Sequence, residues 1–351
     1  MTYRVLLTST GGGMSPLAIR CLQESRRHEV SVIAVDARAD AMGRYFADAF
    51  EAVPPGDDAG YVPALADVAA RHGADLVLPC SDEEALALSA ARETVEATGA
   101  TLACVDHDTL RRMAHKPSAM KLLADHGIDA PAWRLADTEE ALTAAVDEMI
   151  AAKGEFAVKP VASRGGRDVY VVAADAVGSV PYNDGRETYC DLASFRRDHM
   201  AALAPLMPVL VMERLQPPAW DIDVLAWQGE ALRLAPRRRV NPGGVPFKGG
   251  IVECLEPLMD LGRRVTEVLN LSWLYDYDVM STMDGRPVVM ELNPRPSGSI
   301  AAAVAAGVPL LDDLISLAKG EALPPVEAPV PTAVLPHMAL VAVDAADWAS
   351  R

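Results

Sequence analysis

The stretch YDYDVMSTMDGRPVVMELNPRPSGS, residues 275–299, holds the densest set of side chains able to do chemistry. Asp284-Gly285 is the dipeptide that closes a two-residue type I′ hairpin. On that turn Asp278 falls opposite Glu291 and Asp276 opposite Asn293, and alternation places all four on one face. Tyr277, Val279, Val288, Met290 and Leu292 take the other, a core face. Like charges directly opposite on a sheet repel, so Asp278 and Glu291 require open solvent or a cation between them. Hard carboxylate and amide oxygens suit Mg²⁺ holding phosphates. Arg295 adds positive charge toward the same anion.

Two further segments place cations in apolar or strand-like surroundings. Lysine is scarce, with only six in 351 residues, yet Lys159 lies inside the apolar run Phe156–Pro160, ahead of Gly165 and Gly166. A desolvated lysine is costly unless an anion pairs with it. The glycines let backbone N–H groups approach a phosphate closely. In APRRRVNPGGVPFKGGIVE, Arg237 and Arg239 fall on one strand face and Arg238 on the other. Either one face clamps a substrate carboxylate or the transferred phosphoryl group, or this is a solvated basic edge strand. Arg239 and Arg295 are the expected clamps, with Arg237 on the substrate.

Asp278, Glu291 thirteen residues on, then Asn293 and Arg295 together resemble the magnesium-binding hairpin of the ATP-grasp superfamily. The E-x-N-P-R form is also similar to the carbamoyl-phosphate synthase large subunit and its relatives. The resemblance implies an α/β ATP-grasp fold with an N-terminal doubly wound parallel (pre-ATP-grasp) domain. It implies Mg²⁺, with Mn²⁺ as the substitute ion, on Asp278, Glu291 and Asn293. ATP would then be held by Lys159, by Lys116 at the head of the helix in HKPSAMKLLADHG, and by the loop at Gly165 and Gly166. A lysine at a helix N-terminus is misplaced against the macrodipole, which favours an external anion there. By resemblance, Glu213, Arg214 and Leu215 form the linker that grips adenine, and Asp221 takes the ribose, with Asp223 as the competing acid. The implied activity is an ADP-forming carboxylate–amine ligase that passes through an acylphosphate, on an amino acid or small peptide.

These residues need three units to position them. Strand-like runs at 3–9, 30–36, 75–79 and 101–105 alternate with helical stretches at 16–27, 60–72 and 83–97, which indicates a doubly wound parallel sheet over residues 1–113. Residues 114–216 read as a linker helix and a lid, with strands at 156–160, 168–173 and 209–213 and a helix near 194–203. Residues 217–351 read as mainly antiparallel to 293, helical over 299–318, proline-rich from Leu323 to Pro336, with a last strand over 338–343.

The loop TSTGGGMSP follows the first strand, and Gly11, Gly12 and Gly13 there could present N–H groups to a carboxylate or phosphate. A dinucleotide fingerprint would need glycine where Pro16 stands, although Asp36 mimics its ribose-binding acid. A nicotinamide oxidoreductase and a non-catalytic ATP-binding protein are therefore the alternatives. A net charge of −17 excludes nucleic acid and anionic membrane as main partners. Small-molecule carboxylates and amines are expected instead, with a homodimer admitted. Five scattered cysteines without C-x-x-C spacing suit a reducing compartment, and the cytoplasm is the expected location.

Overall fold

The computed structural model describes residues 2–162, 168–182, 185, 187–240, 247–327, 329–337, 339–343 and 345. Short apolar runs near the N-terminus form β1 (Tyr3–Leu7), β2 (Val30–Asp36), β3 (Ala49–Ala52), β4 (Leu76–Leu78) and β5 (Thr101–Leu102). They make one parallel sheet in the order β3-β2-β1-β4-β5. Alternate residues of β1 feed different cores: Leu6 packs with Leu65 and Val68 on one face, Val5 and Leu7 with Ile19 and Leu22 on the other. Both faces are covered, as a continuous apolar strand requires.

The lid sheet contains β6 (Trp133–Ala136), β7 (Phe156–Pro160), β8 (Val169–Val172), β9 (Ser179–Tyr182), β10 (Glu187–Cys190) and β11 (Val209–Glu213), ordered β6-β11-β7-β8-β10-β9. One helix, Glu139–Lys153, lies on it; Thr138 caps its start by accepting the Ala141 N–H at 3.1 Å. The β9–β10 pair was not anticipated, because its strands are short and polar and β9 is wholly exposed. The helix expected near 194–203 is instead a short broken run, Leu192–Ser194, a π turn at Phe195–His199 and a 3₁₀ turn at Ala201–Leu206 that contains Pro205.

The third sheet is antiparallel throughout: β12 (Gln216–Trp227), β13 (Glu230–Arg239), β14 (Gly250–Val252), β15 (Trp273–Ser281), β16 (Pro287–Asn293) and β17 (Thr332–Val334), in the order β16-β15-β12-β13-β14-β17. An amphipathic helix, Glu256–Val268, interrupts the expected strands and buries Leu258, Leu261 and Val265. The last strand falls at 332–334, inside the proline-rich run, and residues 339–343 form none. The first and third sheets share their cores: Leu6 and Val77 pack with Ile222, Tyr277 and Val279, and Val5 and Leu78 with Leu225 and Leu274. The lid has its own core, built on Phe156, Val158, Val146 and Val211.

The β15–β16 hairpin differs from expectation in its turn. Thr282 N–H donates to the Arg286 carbonyl at 2.9 Å, so three residues, 283–285, make the loop, with Gly285 at φ +83°. Ser281 then faces Pro287 and Val279 faces Val289, one step out of the two-residue register. A bulge at Met290 restores it: Asp278 faces Glu291, and Asp276 faces Asn293. The core face changes accordingly. Val289 joins Val279 and Leu292 in the core, whereas Val288 packs beside Met120, Leu210 and Met212, and Met290 lines the cleft.

Candidate active site

The third sheet lays a row of charged residues across four adjacent strands. Arg237 on β13 faces Asp221 on β12, Asp221 faces Asp278 on β15, and Asp278 faces Glu291 on β16. One step along, Asp223, Asp276 and Asn293 form a second row. Over these rows stands the lid strand β7 with Lys159. Together they wall a cleft of about 940 Å³ that also reaches the loops after β1 and β4. That volume lies within the range of small-molecule sites, roughly 300–1,000 Å³.

Cations answer most of the acids. Lys116 Nζ lies 3.0 Å from Glu291 Oε1 and donates to the Val161 carbonyl at 3.4 Å. Arg239 bridges β12 and β15: Nε donates to Asp221 Oδ1 at 2.9 Å and Nη2 to Asp278 Oδ1 at 2.6 Å. Burial disfavours the charged form of Asp221, but Arg237 and Arg239 outweigh it and hold its pKa at about 2. Burial wins at Asp278, pushed up to about 6 despite Arg239. Burial also raises Glu291, yet Lys116 and Lys159 bring it below the ordinary carboxylate value. Burial lowers Lys159 to about 8, and among the described residues no hydrogen bond or ion pair reaches its ammonium.

Two assignments are corrected by this geometry. Arg237 does not line the cleft: its guanidinium is buried, 2.7 Å from Asp221 Oδ2, donating to Ser299 Oγ at 2.6 Å and covered by the Phe247 ring. It supports Asp221 from behind. Gly11 does not offer a free N–H, because it donates to Asp36 Oδ2 at 2.6 Å. The other Asp36 oxygen accepts from Arg38 N–H at 2.9 Å, so this carboxylate braces the loop. Gly12 and Gly13 do line the cleft. Gly165 and Gly166 lie outside the described residues.

The family described as ATP-grasp in the biosynthetic pathway with Ter operon matches residues 206–340, the segment that carries both charged rows. The chain has the ATP-grasp fold. A second family, described as PylC-like, N-terminal domain, matches residues 5–103. Among solved structures, N5-carboxyaminoimidazole synthetase from Staphylococcus aureus complexed with ADP is 14% identical, with a TM-score of 0.67 over 92% of this chain and 79% of that one. The L-amino acid ligase from Bacillus licheniformis is 12% identical, with a TM-score of 0.63 over 90% and 74%. The biotin carboxylase domain of Hydrogenobacter thermophilus 2-oxoglutarate carboxylase, with MgADP and bicarbonate, is 16% identical, with a TM-score of 0.67 over 91% and 70%. No curated protein matches the sequence.

Within this fold Glu213 ends β11 in the lid sheet and Gln216 begins β12 in the third, so Arg214 and Leu215 are the connection between the two bodies. Glu213 accepts from Ala132 N–H at 3.2 Å and pairs with Lys153 at 2.6 Å. Arg214 pairs with Glu155 at 3.0 Å and lies over the Tyr189 ring. Glu213, Arg214, Leu215 and Asp221 all line the cleft, as do Arg239, Asn293 and Arg295. Arg295 Nε lies 3.2 Å from Asp82 Oδ1, and its Nη1 lies 3.7 Å from Asp276 Oδ2. Asp82 carried no role in the sequence. Its signal was the capping box Ser81-Asp82-Glu83-Glu84, where Ser81 Oγ accepts the Glu84 N–H at 3.3 Å right after β4. Asp276 was placed on the correct face but left without a task.

The donor set of an ATP-grasp metal site can be tested on these residues. Asp278, Glu291 and Asn293 offer two carboxylates and an amide oxygen on one face, all hard donors. Asn293 Nδ2 donates to Asp276 Oδ2 at 3.0 Å, and its Oδ1 accepts from Arg295 Nη2 at 3.3 Å and keeps one lone pair for a metal. Arg239 occupies Oδ1 of Asp278 and leaves Oδ2. The residues fit a divalent cation. Among the described residues no helix is long and apolar enough to cross a membrane.

Proposed function

We propose that the protein is an ADP-forming ligase that activates a substrate carboxylate with ATP and couples it to an amine. The observation that carries this is a single cleft lined by Lys159, Lys116, Asp278, Glu291, Arg239 and Arg295, in which Lys116 pairs directly with Glu291. The likeness to solved ATP-grasp structures complexed with ADP or MgADP supports it, as does the likeness to an L-amino acid ligase.

In the proposed reaction a carboxylate oxygen attacks the γ-phosphorus of ATP, and the bond to the β–γ bridging oxygen breaks to release ADP. The amine nitrogen then attacks the acyl carbon; the carbon–oxygen bond breaks, phosphate leaves, and the amine loses a proton. Mg²⁺, when bound, neutralises phosphate charge. Lys159 and Lys116 hold phosphate oxygens, and Arg239 or Arg295 clamps the carboxylate or the transferred group. Glu213, Arg214 and Leu215 seat the adenine, and Asp221 is the assigned ribose acid, although both its oxygens already meet arginines. The lid over the cleft excludes water, which would hydrolyse an acylphosphate. An amino acid or small peptide is the proposed substrate class.

Incubation with Mg·ATP and a panel of amino acids, followed by ADP and phosphate release, is the direct test. Release of ADP that depends on an added carboxylate supports the ligase, and AMP release in its place rejects it. Glu291→Ala is expected to lower turnover by at least 10²-fold with the fold retained by circular dichroism. Activity that survives this change rules out the metal assignment.

A further inference from the structure

Past the phosphate-facing residues, the cleft continues to the loops that follow β1 and β4, at Gly12–Met14 and Cys80–Glu83. Cys80 N–H donates to Thr8 Oγ1 at 3.0 Å and holds these loops side by side. The two helices that start there are opposite in character. Helix Ser15–Gln23 has no acid in its first turn and no side-chain cap; Ser15 and Leu17 N–H already donate to the Gly12 and Met14 carbonyls and Pro16 has none, so the positive character of this end rests on the helix dipole alone. Helix Asp82–Ala90 opens with Asp82, Glu83 and Glu84. One wall of this pocket therefore favours an anion, and its neighbour favours a cation.

The floor here is Asp276, only 3% exposed. Its Oδ2 accepts from Asn293 Nδ2, but no hydrogen bond from another described residue reaches Oδ1. Arg295 is shared between Asp276 and Asp82, so two carboxylates meet one guanidinium. Burial, with Asp221 and Asp278 beside it, pushes the Asp276 carboxyl well above the ordinary range, so a cationic donor from a ligand in the cleft is what would hold it ionised.

We propose that Asp276 Oδ1 receives the ammonium group of an amino-acid substrate whose carboxylate lies toward the N-terminal end of helix Ser15–Gln23. This rests on the ligase reading and extends it to how the substrate is recognised. The rival occupant is a metal ion, because oxygens of Asp221, Asp276 and Asp278 lie within 4.8 Å of one another. That ion would have to displace an arginine from Asp221, both of whose oxygens are paired, whereas an ammonium needs Oδ1 of Asp276 alone.

Thermal melts decide between them. The wild type and Asp276→Asn are melted with Mg²⁺ and a non-hydrolysable ATP analogue, adding each common amino acid or its counterpart lacking the amino group. Asparagine keeps a carbonyl acceptor for Asn293, and stabilisation of the variant by Mg·nucleotide certifies its fold. The expected result is an amino acid that stabilises the wild type where its des-amino counterpart does not. Asp276→Asn should weaken that amino acid at least tenfold, and Mg·nucleotide by less than threefold. Equal loss of both, or loss of stabilisation by Mg²⁺ or Mn²⁺ alone, would assign Asp276 to a metal and overturn the proposal. Unchanged amino-acid affinity in the variant, or no amino acid outperforming its des-amino counterpart, overturns it as well. A wild type that Mg·nucleotide fails to stabilise overturns the ligase reading itself.

Discussion

Lys159 shows how far a single side chain can be read from its neighbours in the chain. An isolated lysine within Phe-Ala-Val-Lys-Pro implies desolvation, and the side chain is buried as expected, with its pKa lowered to about 8. Phosphate binding would favour the charged form, so nucleotide affinity should weaken as pH rises through about 8. ADP dissociation constants across that range check it, and Lys159→Arg, charged throughout, should flatten the profile. The stability effect has the opposite sense. Between about 8 and the ordinary lysine value the unfolded chain holds more protons, so this group makes stability rise with pH in that window. Arg237 shows the limit of the same approach: alternation gave its face correctly, but only the neighbouring Asp221, Ser299 and Phe247 show that it is buried behind the cleft.

At the scale of elements, the β15–β16 hairpin kept its functional register through two compensating departures. The turn holds three residues, not two, and the bulge at Met290 absorbs the difference. Asp-Gly marks a tight turn without fixing its length, and a bulge leaves no simple mark in the alternation of side chains. Gly285, at φ +83°, closes that turn. Gly285→Ala should cost about 1 kcal/mol because alanine adopts this backbone poorly. Urea denaturation checks the loss. Its cause is strain alone, since a Cβ there meets nothing within 4 Å.

For the whole molecule, the first and third sheets are joined by shared cores and by Asp313, a fully buried carboxylate on the helix Leu310–Ala318. It pairs with Arg27, beyond the first helix, and with Arg233 on β13 at 2.6 Å. Asp313→Asn would leave Arg233 without its counter-charge and Arg27 with Asp312 alone, at 3.8 Å, with an expected loss of about 3 kcal/mol. Denaturant unfolding monitored at both sheets should show one transition shifted to lower denaturant. The lid, with its separate core, should keep its own local stability under hydrogen exchange.

By itself the sequence determined the parallel first sheet, the face shared by Asp276, Asp278, Glu291 and Asn293, and the burial of Lys159, while the role of Lys116 came from the family resemblance. The first three follow from local periodicity and from the cost of burying charge, which act over a few residues. Tertiary structure decided that Asp221 stands beside Asp278, that Arg239 bridges them, and that Asp82 reaches Arg295 from the first sheet. It also decided that Gly11 and Asp36 brace each other rather than a ligand. Such pairings depend on which strands become neighbours and which loops meet, and that is set by packing across the whole chain.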